Sequence, residues 1–515
     1  MTYYYYMIKK TIPCIFLILI SFISHAEIKS MSILYTNDLH AHLLPSIQTR
    51  ISETRPVGGF ANIATLVREK KLSDPDTIYI DSGDYFSGPY VSTLTNGAAV
   101  IESMNYLGLD VACIGNHEFD HGWKNTLEQL NKASFPIVNG NIFYKNSDQL
   151  FWDNPYVILN KAGLKIGVIG LHGKFAFYDT INFKMIEAIE TRDEVYYLKQ
   201  YIAELKPITD IIILSVHGGM PGRQSSVGLS DVERSLYADI MLAKEVSDLD
   251  IIITGHAHTG TPQALISNDT IIVSTNAYTS ELGELEIFFD TEKKEIVKHK
   301  NKLIQVFDDE IKDDPSMLKE IKKWQNKVEV IASKPITQST DKMERAYGSE
   351  SNMGNMFADA MSSFDERIDF AMVNSGALRQ DINAGTITKG DLISAFPFPN
   401  TLVMAHLSGD QIKIIFDHAA GMTNGVLQVS SEFQYSINSS GKATALKLND
   451  TEIKGDEMYW VAAPNFVTQG GDGYIEFRNA VHIEDTGIMI VEIIEEFLSE
   501  TNEYQPIVEN RIIVN

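Results

Sequence analysis

The sequence predicts a two-domain α/β protein: a layered N-terminal α/β domain, a linker helix and a smaller α/β domain. Three observations carry this. At 515 residues the chain is too long for one ordinary hydrophobic core. From residue 29 to about 312, short apolar runs alternate with polar turns and amphipathic helical patterns. A long helical stripe then begins at Asp313-Asp314-Pro315, and a fresh set of strands and helices follows it.

Taken in order, Ser32-Ile33-Leu34-Tyr35 reads as a strand leading into Thr36-Asn37-Asp38-Leu39-His40. Phe60, Ile63, Ala64 and Val67 share one helical face after the Gly58-Gly59 turn. Thr77-Ile78-Tyr79-Ile80 precedes Asp81-Ser82-Gly83-Asp84, and Val111-Ala112-Cys113-Ile114 precedes Gly115-Asn116-His117-Glu118-Phe119-Asp120. Lys165 to Gly170 is a further core strand. Ile211 to Leu214 runs to His217, and Ile251-Ile252-Ile253 runs to Gly255-His256-Ala257-His258. Strands so uniformly apolar are buried on both faces. The linker opens with acids at the positive end of a helix and a proline in its first turn. Met317, Ile321, Trp324, Val328 and Ile331 form its stripe. The second domain holds a strand at Tyr459–Ala462 and a helix near Asp410–Ala420. The expected division is 27–312, a linker helix at 313–331, and 332–515.

Residues 1–26 have the layout of a secretory signal, with Lys9 and Lys10 before the apolar run Ile12 to Ile23 and small residues at Ser24-His25-Ala26. The run is short for a span, which needs about 20 apolar residues. Export to the periplasm or beyond is expected, with no stable membrane anchor. Loss of Lys9 and Lys10 would take the net charge from −25 to −27. Such acidity disfavours binding of a nucleic-acid polymer, which requires Lys and Arg to displace counterions. A local cationic clamp remains compatible with it. Cys113 has no partner once Cys14 is removed, so the fold rests on its cores and not on disulfides.

The polar residues at the strand ends are Asp38, His40, Asp84, Asn116, His217, His256 and His258. Two carboxylates, one amide and four imidazoles are about what two divalent ions sharing a carboxylate require. Each piece alone is a plain polar turn; five of them ending buried strands form a constellation. The N/O donor set suits Zn, Mn, Fe, Co or Mg without choosing among them. His117 can move a proton near neutral pH, and Asp120, three residues on, can orient it.

These motifs resemble those of the calcineurin-like metallophosphoesterases, and most closely their 5′-nucleotidase and UDP-sugar hydrolase branch. The resemblance implies an α/β/β/α catalytic domain holding two metal ions. One ion would take Asp38, His40, Asp84 and His258; the other would take Asp84, Asn116, His217 and His256. His117, held by Asp120, would face the substrate, whereas His42, His121 and His172 would not ligate.

In the second domain, Asn374-Ser375-Gly376-Ala377-Leu378-Arg379 places an arginine fork after a small-residue turn, suited to phosphate oxygens. Phe398, in Phe396-Pro397-Phe398-Pro399-Asn400, and Phe466, in Pro464-Asn465-Phe466, can each be core packing or half of a stacking clamp. Asp472 lies in Gly470-Gly471-Asp472-Gly473-Tyr474, which can be a tight hairpin or a carboxylate aimed at ribose. These segments are similar to the nucleotide-binding domain of 5′-nucleotidases. By that likeness Asn374, Arg379 and Asn400 contact the nucleotide, Phe398 and Phe466 sandwich the base, and Asp472 takes the ribose. Relatives usually carry an arginine shortly before the segment matching Asn352-Met353-Gly354-Asn355; here Ser349 stands at one such position, the nearest arginine is Arg345, and Pro399 stands where glycine is common.

The implied function is an exported phosphoric monoester hydrolase of nucleotide catabolism. It would cleave nucleoside 5′-phosphates, and di- and triphosphates or nucleotide sugars besides, through a water activated by two metals. The small-molecule nucleotide would be its partner, and a monomer is expected. The alternatives are a 2′,3′-cyclic-nucleotide phosphodiesterase, another phospho- or sulfur-ester hydrolase of the superfamily, or a non-catalytic nucleotide-binding protein.

Overall fold

The computed structural model describes residues 27–219, 231–422 and 425–515; the signal segment expected at 1–26 lies outside them. Two six-stranded sheets form the N-terminal half. The first runs in the order Glu295–Gln305, Glu281–Asp290, Ile28–Thr36, Ile78–Asp81, Val111–Cys113, Ile137–Val138. The second runs Leu265–Ser267, Thr270–Val273, Ile251–Gly255, Ile211–His217, Leu164–His172, Tyr156–Lys161. The central strands are parallel, in registers such as Ile33 beside Ile78 and Ile213 beside Ile251.

Alternation along each strand explains the uniform hydrophobicity. Met31, Ile33 and Tyr35 face inward and meet Ile211, Ile213 and Ile251 of the other sheet. Leu34 and Tyr79 face outward onto the helix Phe60–Ser73 through Phe60, Ile63 and Val67. Ile212 and Leu214 likewise face the helix Glu194–Leu205. The result is helix, sheet, sheet, helix, with both faces of each sheet covered.

The long helix spans Pro315–Ala332, with Pro315 at its first position. Asp314 caps it, accepting from the backbone N–H groups of Ser316 and Met317 at 2.8 Å each. Met317, Ile321, Trp324 and Val328 pack into the N-terminal core, so the connector belongs to that half by packing. Ile331 departs from the expected stripe: it is 49% exposed, and Ala332 is buried instead. The stripe's next buried position after Val328 is Ala332, four residues on, which leaves Ile331 on the solvent side.

The C-terminal half centres on a five-stranded sheet ordered Leu427–Val429, Phe370–Asn374, Met458–Pro464, Thr401–Ser408, His482–Met489. Phe370 and Met372 face one core, which includes the helix Gly409–Ala420; Ala371 and Val373 face another, against Asn352–Ser362. The halves also touch directly. Tyr90 donates its backbone N–H to Ser394 Oγ at 2.9 Å, and Lys184 pairs with Asp485 at 2.7 Å. Cys113 is buried and has no disulfide partner among the described residues. Among the described residues, no helix is long and apolar enough to cross a membrane.

Candidate active site

The C-terminal ends of the central parallel strands of both sheets open onto one place, as in other open α/β sheets. Asp38 follows the strand Ile28–Thr36, Asp84 follows Ile78–Asp81, and Asn116 follows Val111–Cys113. His217 ends its strand, and His256 and His258 follow Ile251–Gly255. Their ligating atoms form overlapping groups: Asp38, His40 and His258; His40, Asp84 and His117; Asp84, His217 and His256. His258 Nε2 lies 3.0 Å from His40 Nε2 and 3.3 Å from Asp38 Oδ1. His217 Nε2 lies 3.0 Å from Asp84 Oδ2, and His256 Nδ1 lies 3.0 Å from Asn116 Oδ1.

These residues fit divalent cations on their own chemistry. His40 and His217 direct their Nδ1 protons to the carbonyls of Ser87 and Ser82, at 2.9 and 2.8 Å. Each Nε2 therefore presents a lone pair to the site, the tautomer a metal requires. Burial holds the His40 imidazole well below its usual pKa, and burial with the neighbouring His217 takes His256 down to about 3. Burial alone would raise the Asp38 and Asp84 carboxyls, but the histidines beside them hold both below the usual range. Among the described residues, Asn116 Nδ2 is buried without a hydrogen-bond partner. Such orphans are rare in a closed core and mark a place for a ligand.

Backbone strain gathers here too. Asp38, His40, Asp84, His256 and His258 all have φ between +45° and +81°, a region that costs a non-glycine residue of order 1–3 kcal/mol. The surroundings impose it. The Asp38 N–H is held by the Gly83 carbonyl and the His40 N–H by that of Asp84, at 2.9 Å each. Asp38 in turn accepts from Asn37 Nδ2 at 2.7 Å and from the His256 N–H at 2.9 Å.

His117 stands at the edge of the donor groups. Its Nδ1 donates to Asp120 Oδ2 at 2.7 Å, and Ser87 Oγ donates to the same oxygen. Burial lowers the His117 pKa, but the charges of Asp120 and Asp84 outweigh it and the net shift is upward. His117 Nε2 lies 3.2 Å from Arg379 Nη2, which brings the two halves of the chain together. Phe398 stacks on the His117 ring at 5.6 Å, and the Arg379 guanidinium lies 5.2 Å from the centre of the Phe398 ring.

A cleft of about 1920 Å³ runs between the halves and is lined by Asp84, Asn116, His117, His256 and His258 from one side. From the other it is lined by Asn374, Arg379, Phe398, Asn400, Phe466 and Asp472. Asn374 donates to Asp472 Oδ2 at 3.0 Å, and burial pushes the Asp472 carboxyl up to about 6. Among the described residues, Arg379 Nε and Asn374 Oδ1 are buried without hydrogen-bond partners. Phe466 sits on a short helix, Asn465–Thr468, against Gly471, where a Cβ would come within 2.3 Å of its ring. Phe398 and Phe466 thus share the cleft, with Phe398 already leaning on His117.

His42, His121 and His172 stay outside the donor groups among the described residues. His42 packs on Tyr278, and His172 donates to the Gly173 carbonyl at 2.9 Å. Arg345 also lines the cleft, 3.3 Å from the Tyr347 hydroxyl. Two residues escape a reading by motif. Tyr278, with φ +66°, lays its ring against His40, His42 and His258. Glu118 is completely buried beneath the Asp84 turn. Its signal was its place inside the hexapeptide, but nothing in the sequence shows what its carboxylate holds.

Residues 31–260 match the model of the calcineurin-like phosphoesterase family, and residues 330–479 match that of the 5′-nucleotidase C-terminal domain. The chain is similar to 5′-nucleotidase of Homo sapiens, 27% identical over 94% of this chain and 90% of that one. Its fold is similar to that of a 5′-nucleotidase precursor from Thermus thermophilus, at TM-score 0.82 and 24% identity over 94% and 99% of the two chains. It is also similar to that of the sulfate thiohydrolase SoxB from the same organism, at TM-score 0.75 and 17% identity over 94% and 96%. A phosphoesterase domain followed by a 5′-nucleotidase C-terminal domain, matched along nearly the whole length, places this chain in the 5′-nucleotidase family of calcineurin-like phosphoesterases.

Proposed function

We propose that this chain is an exported enzyme that hydrolyses nucleoside 5′-phosphates to nucleoside and phosphate, with two divalent cations bound at the strand-end donors. One observation carries the reading. Three overlapping donor groups, one of which includes His117 of the His117–Asp120 pair, border a cleft whose far wall offers an arginine and two phenylalanines. Asp38, His40, Asp84 and His258 would hold one cation, and Asp84, Asn116, His217 and His256 the other. When bound, such ions acidify water and neutralise charge on phosphoryl oxygens.

The chain's own residues would do the rest. Arg379, whose Nε has no hydrogen-bond partner among the described residues, would meet the phosphoryl oxygens with its planar fork. Protonated His117 would give its Nε2 proton to the departing 5′-oxygen, with Asp120 fixing the ring and favouring its charged form. Phe398 and Phe466 would flank the base, Asn374 and Asp472 would meet the ribose hydroxyls, and Asn400 would line the same pocket. The aromatic pair favours a planar base over an inorganic sulfur ester. The two domains would divide at the helix Pro315–Ala332.

The test is phosphate release from a panel of nucleoside monophosphates, nucleotide sugars, a 2′,3′-cyclic nucleotide and thiosulfate-type esters. Turnover of 5′-monophosphates that a chelator abolishes and one added divalent ion restores is the expected result. A metal-replete protein that binds nucleotide and releases nothing would overturn it.

A further inference from the structure

Glu118, although it takes no part in the chemistry above, is tied closely to the ligand-bearing turns. Its Oε2 accepts from the backbone N–H of Asp84 at 3.0 Å and from that of Gly115 at 2.6 Å. Its Oε1 accepts from the N–H groups of Tyr85 and Phe86, at 2.9 and 3.0 Å. One carboxylate thus takes four main-chain donors, two per oxygen, three from the turn of Asp84 and one from the turn of Asn116. The clasp is reciprocal, because Asp84 Oδ1 accepts the His117 N–H at 2.8 Å. Thr126 Oγ1 anchors the Glu118 carbonyl at 2.7 Å.

The two turns are pressed together backbone to backbone. A Cβ on Gly83 would lie 2.6 Å from the Gly115 nitrogen, and one on Gly115 would lie 2.3 Å from Asp84 Oδ1. Asp84 is held there with φ +60°, a conformation it would leave without an acceptor for its N–H. We propose that Glu118 is a positioning residue: its carboxylate clamps the Asp84 turn to the Asn116 turn and so sets the spacing of the shared carboxylate and the amide ligand. This rests on the two-cation reading of the site. Glu118 lies outside the donor groups among the described residues, but it would fix the distance between two residues that both serve the second cation.

Chain length and charge separate cleanly in the test. In Glu118→Gln the shape is kept, but the amide nitrogen cannot accept and one pair of N–H groups loses its partner. Glu118→Asp keeps the charge and is one methylene too short to reach both turns. Gly115→Ala leaves Glu118 intact and forces the turns apart from the other side. Metal-stripped full-length proteins are titrated with Mn²⁺ alone by calorimetry, and electron paramagnetic resonance follows formation of the spin-coupled pair. Wild type is expected to bind two Mn²⁺. Each variant should lose about 10- to 100-fold in affinity for the second ion, the usual cost of removing a group that orients a ligand. The coupled signal should need correspondingly more Mn²⁺, and kcat should recover at saturating Mn²⁺ with KM unchanged. Wild-type affinity in Glu118→Asp with weakened binding only in Glu118→Gln would make the effect one of charge and overturn the proposal. So would wild-type affinity in Gly115→Ala, which also covers the case of a Glu118 variant that does not fold. A wild-type protein that binds no Mn²⁺ pair would instead defeat the two-cation reading, and this inference with it.

Discussion

Replacing Asp120 by asparagine isolates the proton-donating role of His117 with little change of shape. Asp120 Oδ2 lies 2.7 Å from His117 Nδ1, and both side chains are nearly buried. Asparagine can still accept that hydrogen bond through Oδ1, so the ring is retained while the charge is lost. A hydrogen bond to a charged group contributes about 1.5–3 kcal/mol net. Lost from the imidazolium, that stabilisation lowers the pKa of His117, so at pH above it the share of acid form, and kcat with it, falls about 10- to 150-fold. The sign of the pH effect follows from the same contact. Asp120 and Asp84 raise His117 above its ordinary value against the pull of burial. The acid form therefore persists to higher pH than in an ordinary imidazole and is lost as pH rises through the raised value. Removing Asp120 should bring the alkaline limb of kcat to lower pH. Steady-state phosphate release across the range from mildly acidic to alkaline pH measures both, with AMP and p-nitrophenyl phosphate compared side by side. Nitrophenolate leaves without needing a proton, so its loss should be much the smaller. An equal loss on both substrates, with the alkaline limb unmoved, would refute the assignment of His117 as the acid.

Phe466→Ala should raise KM for AMP about 5- to 150-fold, the equivalent of about 1–3 kcal/mol of base stacking. Its KM for an aryl phosphate should stay nearly constant, and parallel changes in the two would remove the base clamp. Asp314→Ala removes the acceptor for two N–H groups at the start of the connecting helix, together with the Arg68 ion pair. It should cost about 1–2 kcal/mol, seen as a Tm lowered by a few degrees; an unchanged Tm would show that the cap is not stabilising. Chelation should lower Tm as well as activity, because bound cations stabilise only the folded state. Identical melting with and without chelator would count against cations at these donors.

The sequence by itself determined the strand cores, the polar residues that end them and the connecting helix. These are local facts. A strand alternates its side chains between two faces, so Ile33 and Leu34, or Ile213 and Leu214, are apolar together only if both faces are covered. A capping acid and proline announce a helix wherever they fall, though not which of Ile331 and Ala332 closes its buried stripe. Tertiary structure decided everything that depends on one backbone meeting another. The left-handed turns at Asp38, His40, Asp84 and His256 are held in place by neighbouring carbonyls and carboxylates. Glu118 had no visible task until two turns were brought within reach of its single carboxylate. Arg379 lies 262 positions from His117 in the chain and 3.2 Å from it in space. That closeness comes from two domains packing face to face, a contact that no local pattern of residues encodes.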